Sequence, residues 1–210
     1  MADLEFFWDP VCPWAWITSR WIVEVSAQQP MTVDWKFIAL RIVNEKRNYE
    51  AEFPPGYERT HQRGMNLLRV AAAVRQEVGP QAVLPLYSAY GATIHDQGNP
   101  TSLDDPQTLR KLLGELGLPE DLADATQITD HDEAIRSETG EALERCGGFI
   151  GTPVLTFSPP EGPSLFGPVI ARVPKGEEAL QLWEAVGLLG RTPYFSELKR
   201  SNRGKPNFNR

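Results

Sequence analysis

Leu4-Glu5-Phe6-Phe7-Trp8-Asp9-Pro10-Val11-Cys12-Pro13-Trp14-Ala15-Trp16 is the stretch on which the reading of this chain turns. Leu4 to Trp8 is a short apolar, aromatic-rich run, and Asp9-Pro10 ends it as a buried strand is ended. From Pro13 onward Trp14, Ile17, Trp21, Ile22 and Val25 recur at helical spacing, with Pro13 at a first-turn position where its missing N–H costs nothing. Cys12 therefore sits where a strand hands over to a helix. A thiol there meets unpaired backbone N–H groups and the positive end of the helix macrodipole, which favour the nucleophilic thiolate. A buried, inert thiol is the alternative, but inert cysteines are seldom framed by Asp-Pro before and Pro after. A dithiol enzyme of the C-x-x-C kind would carry its resolving cysteine three residues on, where this chain has Ala15.

Outward from that stretch, Met31 to Leu40 reads as a second strand, with Val33, Trp35 and Phe37 alternating with Thr32, Asp34 and Lys36. Strand, helix and strand this close together make a βαβ unit, expected to be parallel with a right-handed crossover. From about Glu45 to Gly147 the chain offers helical patterns broken by Gly and Pro, at Tyr57 to Val78, Gln81 to His95, Asp105 to Leu116, Pro119 to Ala125 and Asp130 to Cys146. After Gly147-Gly148 the β pattern returns at Thr152 to Phe157 and Ser164 to Gly167. A last amphipathic helix follows over Lys175 to Leu189, with Ala179, Leu180, Leu182, Trp183 and Val186 inward. The order βαβ, helices, ββα predicts an α/β chain with a thioredoxin fold and an all-helical insertion domain. Residues 1–44 and 148–190 form the thioredoxin-like domain, 45–147 the insertion and 191–210 a C-terminal extension.

Composition narrows the function. The 210 residues are 41% hydrophobic, enough for a sizeable core. No apolar run approaches the roughly 20 residues of a membrane span, and Met-Ala-Asp-Leu-Glu begins no export signal, so the expectation is a protein off the membrane. Cys12 and Cys146, far apart in sequence, do not suggest a disulfide framework, which fits a reducing cytoplasm. A net charge of −7 speaks against nucleic acid, whose phosphates need clustered Lys and Arg. Lys199, Arg200, Arg203, Lys205 and Arg210 near the end read as a solvated tail. His61, His95 and His131 are scattered, no Cys/His ligand spacing occurs, and no metal site is expected.

The sequence resembles the thioredoxin-fold proteins of the DsbA-like class, and within it the mycothiol-dependent nitroreductases. The carriers are Phe7-Trp8-Asp9-Pro10 with Cys12-Pro13-Trp14, Trp16 to Trp21, Ile42-Val43-Asn44-Glu45, Ile94 to Asn99, Gly151-Thr152-Pro153, Phe166 to Val169 and Phe195 to Arg200. The resemblance implies a cytoplasmic homodimer that takes mycothiol as its low-molecular-weight thiol cofactor. It implies a cis Pro153 facing the cysteine, with the Thr152 backbone exposed for pairing with a bound thiol. By position it makes Pro13, Trp14, Asn44 and Tyr57 lining residues of the thiol or substrate pocket and His95 a residue at its edge. Ala15 departs from the family's reductase type, which has cysteine there, so the second sulfur of a redox cycle must come from elsewhere, from a small thiol in solution. Cys146 closes a helix just before Gly147-Gly148 and reads as a core thiol.

The expectation is a monothiol thiol–disulfide oxidoreductase with Cys12 as nucleophile, reducing a disulfide or an electrophilic, nitroaromatic substrate. Two other readings stand beside it. In a kappa-class glutathione transferase or hydroxychromene carboxylate isomerase arrangement the protein activates the sulfur of a thiol cofactor and needs no redox turnover of its own. In the third, the chain is a non-catalytic thiol- or peptide-binding module.

Overall fold

The computed structural model describes residues 2–148, 150–200 and 204–208, so Arg203 and Arg210 of the basic tail lie outside the described residues. Strand β1 (Leu4–Trp8) is buried at every position, including the one charged residue, Glu5, in its apolar and aromatic run. It leads into α1 (Pro13–Gln28), which starts on Pro13 and buries Trp16, Ile17, Trp21, Ile22 and Val25 along one stripe. Strand β2 (Val33–Phe37) follows, and β3 (Val154–Phe157) and β4 (Ser164–Phe166) close a four-stranded sheet in the order β2-β1-β3-β4. The sheet is mixed, and β3 is antiparallel to both β1 and β4, which leaves β1 and β2 as the parallel pair that a βαβ connection makes.

The chain divides into two compact units. The first comprises residues 1–8, 12–36 and 142–210 and carries most of the sheet. Here α8 (Gly176–Gly190) packs on α1: Trp21 Nε1 donates to the Ala179 carbonyl at 2.9 Å, and the Trp183 ring lies 6.0 Å from that of Trp21 and 5.4 Å from that of Phe157. Thr18 Oγ1 donates to the Pro168 carbonyl at 2.8 Å. A polar row crosses the four strands: Lys36 pairs with the buried Glu5 at 3.0 Å, Glu5 stands opposite Thr156, and the Thr156 and Ser164 hydroxyls bond at 2.8 Å. In the β3–β4 turn a Cβ on Gly162 would lie 1.5 Å from the Phe157 carbonyl oxygen, so only glycine closes this hairpin.

The second unit comprises residues 9–11 and 37–141. Its centre is α4 (Tyr57–Glu77), buried from Leu67 through Val74 apart from half-exposed Arg69, surrounded by α5 (Val83–Gly91), α6 (Pro106–Glu115), a 3₁₀ stretch over Glu120–Gln127 and α7 (Asp132–Arg145). Two four-residue helices, α2 (Leu40–Val43) and α3 (Tyr49–Glu52), precede α4. Arg69 forks onto Asp132 with both bonds at 2.7 Å, and Arg75 reaches Glu138 at 2.8 Å, tying α7 to α4. The border between units falls at Phe37 and Ala142. The reason is local: Phe37 N–H donates to Glu138 Oε2 at 2.7 Å and Ala39 N–H to Thr139 Oγ1 at 3.0 Å, so the end of the expected second strand belongs to α7.

Three expected elements differ in detail. The second strand ends at Phe37 because the next residues are bound to α7 and enter α2. The helix expected over Gln81 to His95 is a 3₁₀ turn at Pro80–Ala82, then α5, then a π-helical turn over Ala92–Asp96. The segment around Pro119 to Ala125 is 3₁₀ rather than α.

Candidate functional site

Cys12 is the N-cap of α1, with extended backbone (φ −81°, ψ 112°) that frees its side chain to turn back over the helix end. The Ala15 N–H donates to Cys12 Sγ at 3.5 Å, and the thiol in turn lies 3.4 Å from the Thr152 carbonyl, to which it donates when protonated. The two contacts pull in opposite directions, the amide favouring the ionised sulfur and the carbonyl the protonated one. No acidic residue occupies the first turn of α1, so nothing there offsets the positive end of its dipole. Cys12 is 5% exposed. Neither Cys12 nor Cys146 forms a disulfide.

Thr152 anchors the other side of this pair. Its hydroxyl donates to the Phe7 carbonyl of β1 at 3.2 Å, which fixes the carbonyl that faces Cys12, and the peptide to Pro153 is cis. Cys12 and Thr152, expected together, are thus brought together within the first unit. Pro13 and Trp14 follow directly on Cys12 and are half-buried.

Asn44, Tyr57 and His95 lie in the second unit. Asn44 is buried and engaged, its amide donating to the Leu40 carbonyl at 2.8 Å while its Oδ1 accepts from Arg47 at 3.3 Å, so it closes the turn after α2. Tyr57 is 44% exposed and belongs to a ring cluster with Tyr49, Phe53 and His61. Tyr49 and Phe53 stack at 4.8 Å, Arg47 covers Phe53 at 4.4 Å, Arg41 covers Tyr49 at 5.4 Å, and the Tyr49 hydroxyl bonds His61 Nδ1 at 2.8 Å. Burial pushes His61 down to about 4, with the Arg41 charge adding to it, and raises the Tyr49 hydroxyl above its ordinary value. His61 is therefore neutral at pH 7. Apart from Tyr57 the cluster escaped the sequence reading, although positions 49, 53, 57 and 61 repeat every four residues, the signal of one helical face. The break at Pro54-Pro55-Gly56 hides it.

His95 sits in the π-helical turn, and its Nε2 lies 2.9 Å from the Pro10 carbonyl, so Nε2 carries the proton in the bonded tautomer. Burial holds it at about 4 against the opposing pull of Pro10 and Asp96. Asp9, also passed over in the sequence, is fully buried; its Oδ1 accepts from Val11 N–H at 2.9 Å and its Oδ2 from Leu40 N–H at 2.7 Å. Burial raises it to about 7 against those two amides. Cys146, at the end of α7, is pushed up to about 11 by burial, partly offset by Arg145.

A cavity of about 370 Å³ opens elsewhere in the helical unit, lined by Arg63, Asn66, Leu103, Asp104, Asp124 and Gln127 among others, and none of the residues expected at the site borders it. Its charges are already spent on Arg63–Asp104 and Arg110–Asp124 pairs. Among the described residues no group of three or more His, Cys, Asp and Glu comes together to hold a metal, and no helix is long and apolar enough to cross a membrane.

Comparison with known proteins places this geometry. Among solved structures, the chain is similar to the probable DsbA oxidoreductase SCO1869 of Streptomyces coelicolor, with a TM-score of 0.59 and 16% identity over 96% of this chain and 95% of that one. It is also similar to a 2-hydroxychromene-2-carboxylate isomerase, with a TM-score of 0.58 and 14% identity over 89% and 95%. At these identities the likeness establishes the fold, which is the thioredoxin fold of the DsbA-like class with its helical insertion. In sequence it is 33% identical to uncharacterized protein Rv2286c of Mycobacterium tuberculosis over 202 residues, 95% of this chain and 82% of that protein. The family model described as Rv2466c-like, mycothiol-dependent nitroreductase Rv2466c, matches residues 11–200. With Cys12 and Pro153 both inside that match, the chain belongs to the Rv2466c-like family and is an enzyme of the DsbA-like thiol oxidoreductase class.

Proposed function

We propose that the protein is a monothiol thiol–disulfide oxidoreductase in which Cys12 is the nucleophile and a low-molecular-weight thiol, mycothiol by family, supplies the second sulfur. One observation carries the reading: Cys12 Sγ caps α1 against the Ala15 amide and beside the Thr152 carbonyl, with alanine where an internal resolving thiol would stand. Cys146, with its thiol pushed up to about 11, is poorly suited to resolve at neutral pH.

The cycle balances with one protein sulfur. The Cys12 thiolate attacks the small-thiol sulfur of a mixed disulfide, forms Cys12–S–S–R and expels the substrate as thiolate, which takes a proton from water. A second small thiolate then attacks the R sulfur, releases R–S–S–R and restores Cys12. Per turnover one small thiol is consumed and leaves joined to the R group as R–S–S–R, and the substrate sulfur is reduced to a thiol. An electrophilic, nitroaromatic acceptor would instead consume two small thiols per turnover, whose oxidation to R–S–S–R supplies its two electrons and two protons. Pro13 and Trp14 beside the sulfur, Thr152 and Pro153 across from it, and Asn44, Tyr57 and His95 of the helical unit are the residues we assign to thiol and substrate binding.

We place the enzyme in the cytoplasm, which the absence of a disulfide between its cysteines supports, and we infer a homodimer from the family resemblance. Exposed Leu188, Tyr194 and Leu198 near the C-terminus are apolar enough to serve such an interface. Sedimentation should give twice the chain mass.

The deciding experiment is intact mass after incubation with the oxidised small thiol. One adduct is expected, absent in Cys12→Ser and retained in Cys146→Ser; no adduct on the wild-type protein defeats the reading. Turnover retained in Cys12→Ser would move the chemistry to the cofactor's own sulfur, as in the transferase and isomerase arrangement.

A further inference from the structure

The three residues that enter Cys12 are held by the helical unit, not by the sheet from which they emerge. Asp9, Pro10 and Val11 cluster with residues 37–141, while Trp8 before them and Cys12 after them cluster with the sheet. Each grip is a named bond. The Asp9 carboxylate closes an Asx turn onto Val11 N–H at 2.9 Å and caps the first amide of α2, Leu40 N–H, at 2.7 Å, where Ala39 at the N-cap offers no side chain of its own. The Pro10 carbonyl accepts from His95 Nε2 at 2.9 Å. Gly64 of α4 admits the carboxylate, since a Cβ there would lie 2.6 Å from Asp9 Oδ1 and 3.1 Å from Val11 Cγ2.

Both side chains have features that suit a fixed clamp. His95 projects from a π-helical turn, where the extra residue re-aims a side chain that a continuous α-helix would direct elsewhere. It is neutral through the working pH range, so its N–H stays on the carbonyl. Asp9 has no exposure, and each of its two oxygens accepts from a backbone amide. Val11, between the clamp and the nucleophile, is itself buried, so the segment has little freedom to swing.

We propose that His95 and Asp9 are positioning residues for the nucleophile: by fixing the Pro10 and Val11 peptide groups they hold Cys12 in the extended N-cap geometry that keeps its sulfur on the Ala15 amide. The clamp acts on Cys12 through the backbone. It rests on the assignment of Cys12 as nucleophile. An N-cap sulfur that drifts off the helix end loses the amide that stabilises its anion, while its protonated form loses little.

The test compares iodoacetamide labelling of Cys12 and Cys146, read peptide by peptide by mass spectrometry, at pH 6 and pH 9. His95→Leu removes the donor to Pro10 and is expected to lower the pH 6 to pH 9 rate ratio at Cys12 tenfold or more. His95→Gln keeps an N–H that can reach the same carbonyl and should stay within threefold of wild type. Asp9→Asn, which offers one acceptor oxygen to two amides, should lower the ratio at least threefold and carries the test if His95→Leu fails to fold. Cys146 serves as the internal control and should label unchanged in folded variants. A ratio at Cys12 that stays at the wild-type value in Asp9→Asn and His95→Leu overturns the proposal, as does a Gln variant as impaired as Leu. Wild-type Cys12 no more reactive at pH 6 than a cysteine in the urea-unfolded chain would instead sink the nucleophile assignment itself.

Discussion

Asp9 is a carboxylic acid without water around it, and its titration has a consequence for stability. Its folded value of about 7 lies above the ordinary carboxyl value of about 3.9, so between those limits the native state binds more protons than the unfolded one. Its contribution therefore falls as pH rises from about 4 to about 7. His61 and His95, each held down to about 4 by burial, work the other way and add stability as pH rises from about 4 to about 6.5. Urea titrations should show wild-type stability falling relative to Asp9→Asn across pH 4 to 7; a constant difference between the two would show that Asp9 does not titrate there. Gly64→Ala tests the same spot by volume. The atom it would strike is the end of a side chain, but one pinned by two amides in a fully buried place, so the clash cannot relax cheaply. A loss of about 1–3 kcal/mol is expected, and wild-type stability in the alanine variant would show that the loop can yield.

At the scale of elements, α1 and α8 meet through a bond that packing alone would not require. Trp21→Phe removes the N–H that reaches the Ala179 carbonyl and leaves a small void beside Trp183. Thermal or urea unfolding should register a loss of about 1–3 kcal/mol, with no change in Cys12 labelling. The elements most legible in the sequence were those whose own pattern is strong, namely β1, α1, α4 and α8. Cys12 at a helix start and Thr152 opposite it were legible too, because a cap position and a Thr-Pro before an apolar strand are local features. What stayed hidden was long-range. Asp9 looked like strand-ending punctuation because its partner Leu40 is 31 residues away, and His95 looked like one residue of a helix because the π-helical turn leaves no mark in composition. The early end of β2 has the same origin, since apolar Ile38-Ala39-Leu40 continues a strand pattern while the bonds come from Glu138 and Thr139. The aromatic ladder at 49, 53, 57 and 61 lay in plain view but spans two helices and a proline break.

For the molecule as a whole, the passage of the chain out of the sheet at Phe37 is secured by α7. Thr139→Val keeps the shape and removes the acceptor, leaving the buried Ala39 N–H without its bond at a cost of about 1–3 kcal/mol. Hydrogen exchange should become faster at Ala39 in that variant, and unchanged protection would mean that the tie is dispensable. The sheet itself has a further property. Its outer strands are β2 and β4, and each is poorly suited to accept a foreign strand: β4 is three residues long and stops at Gly167-Pro168, while β2 carries a lysine and surrenders its last amide to a glutamate side chain. Edges blunted in this way resist the stacking that seeds fibrils, so concentrated solutions of the folded enzyme should remain clear and thioflavin-negative.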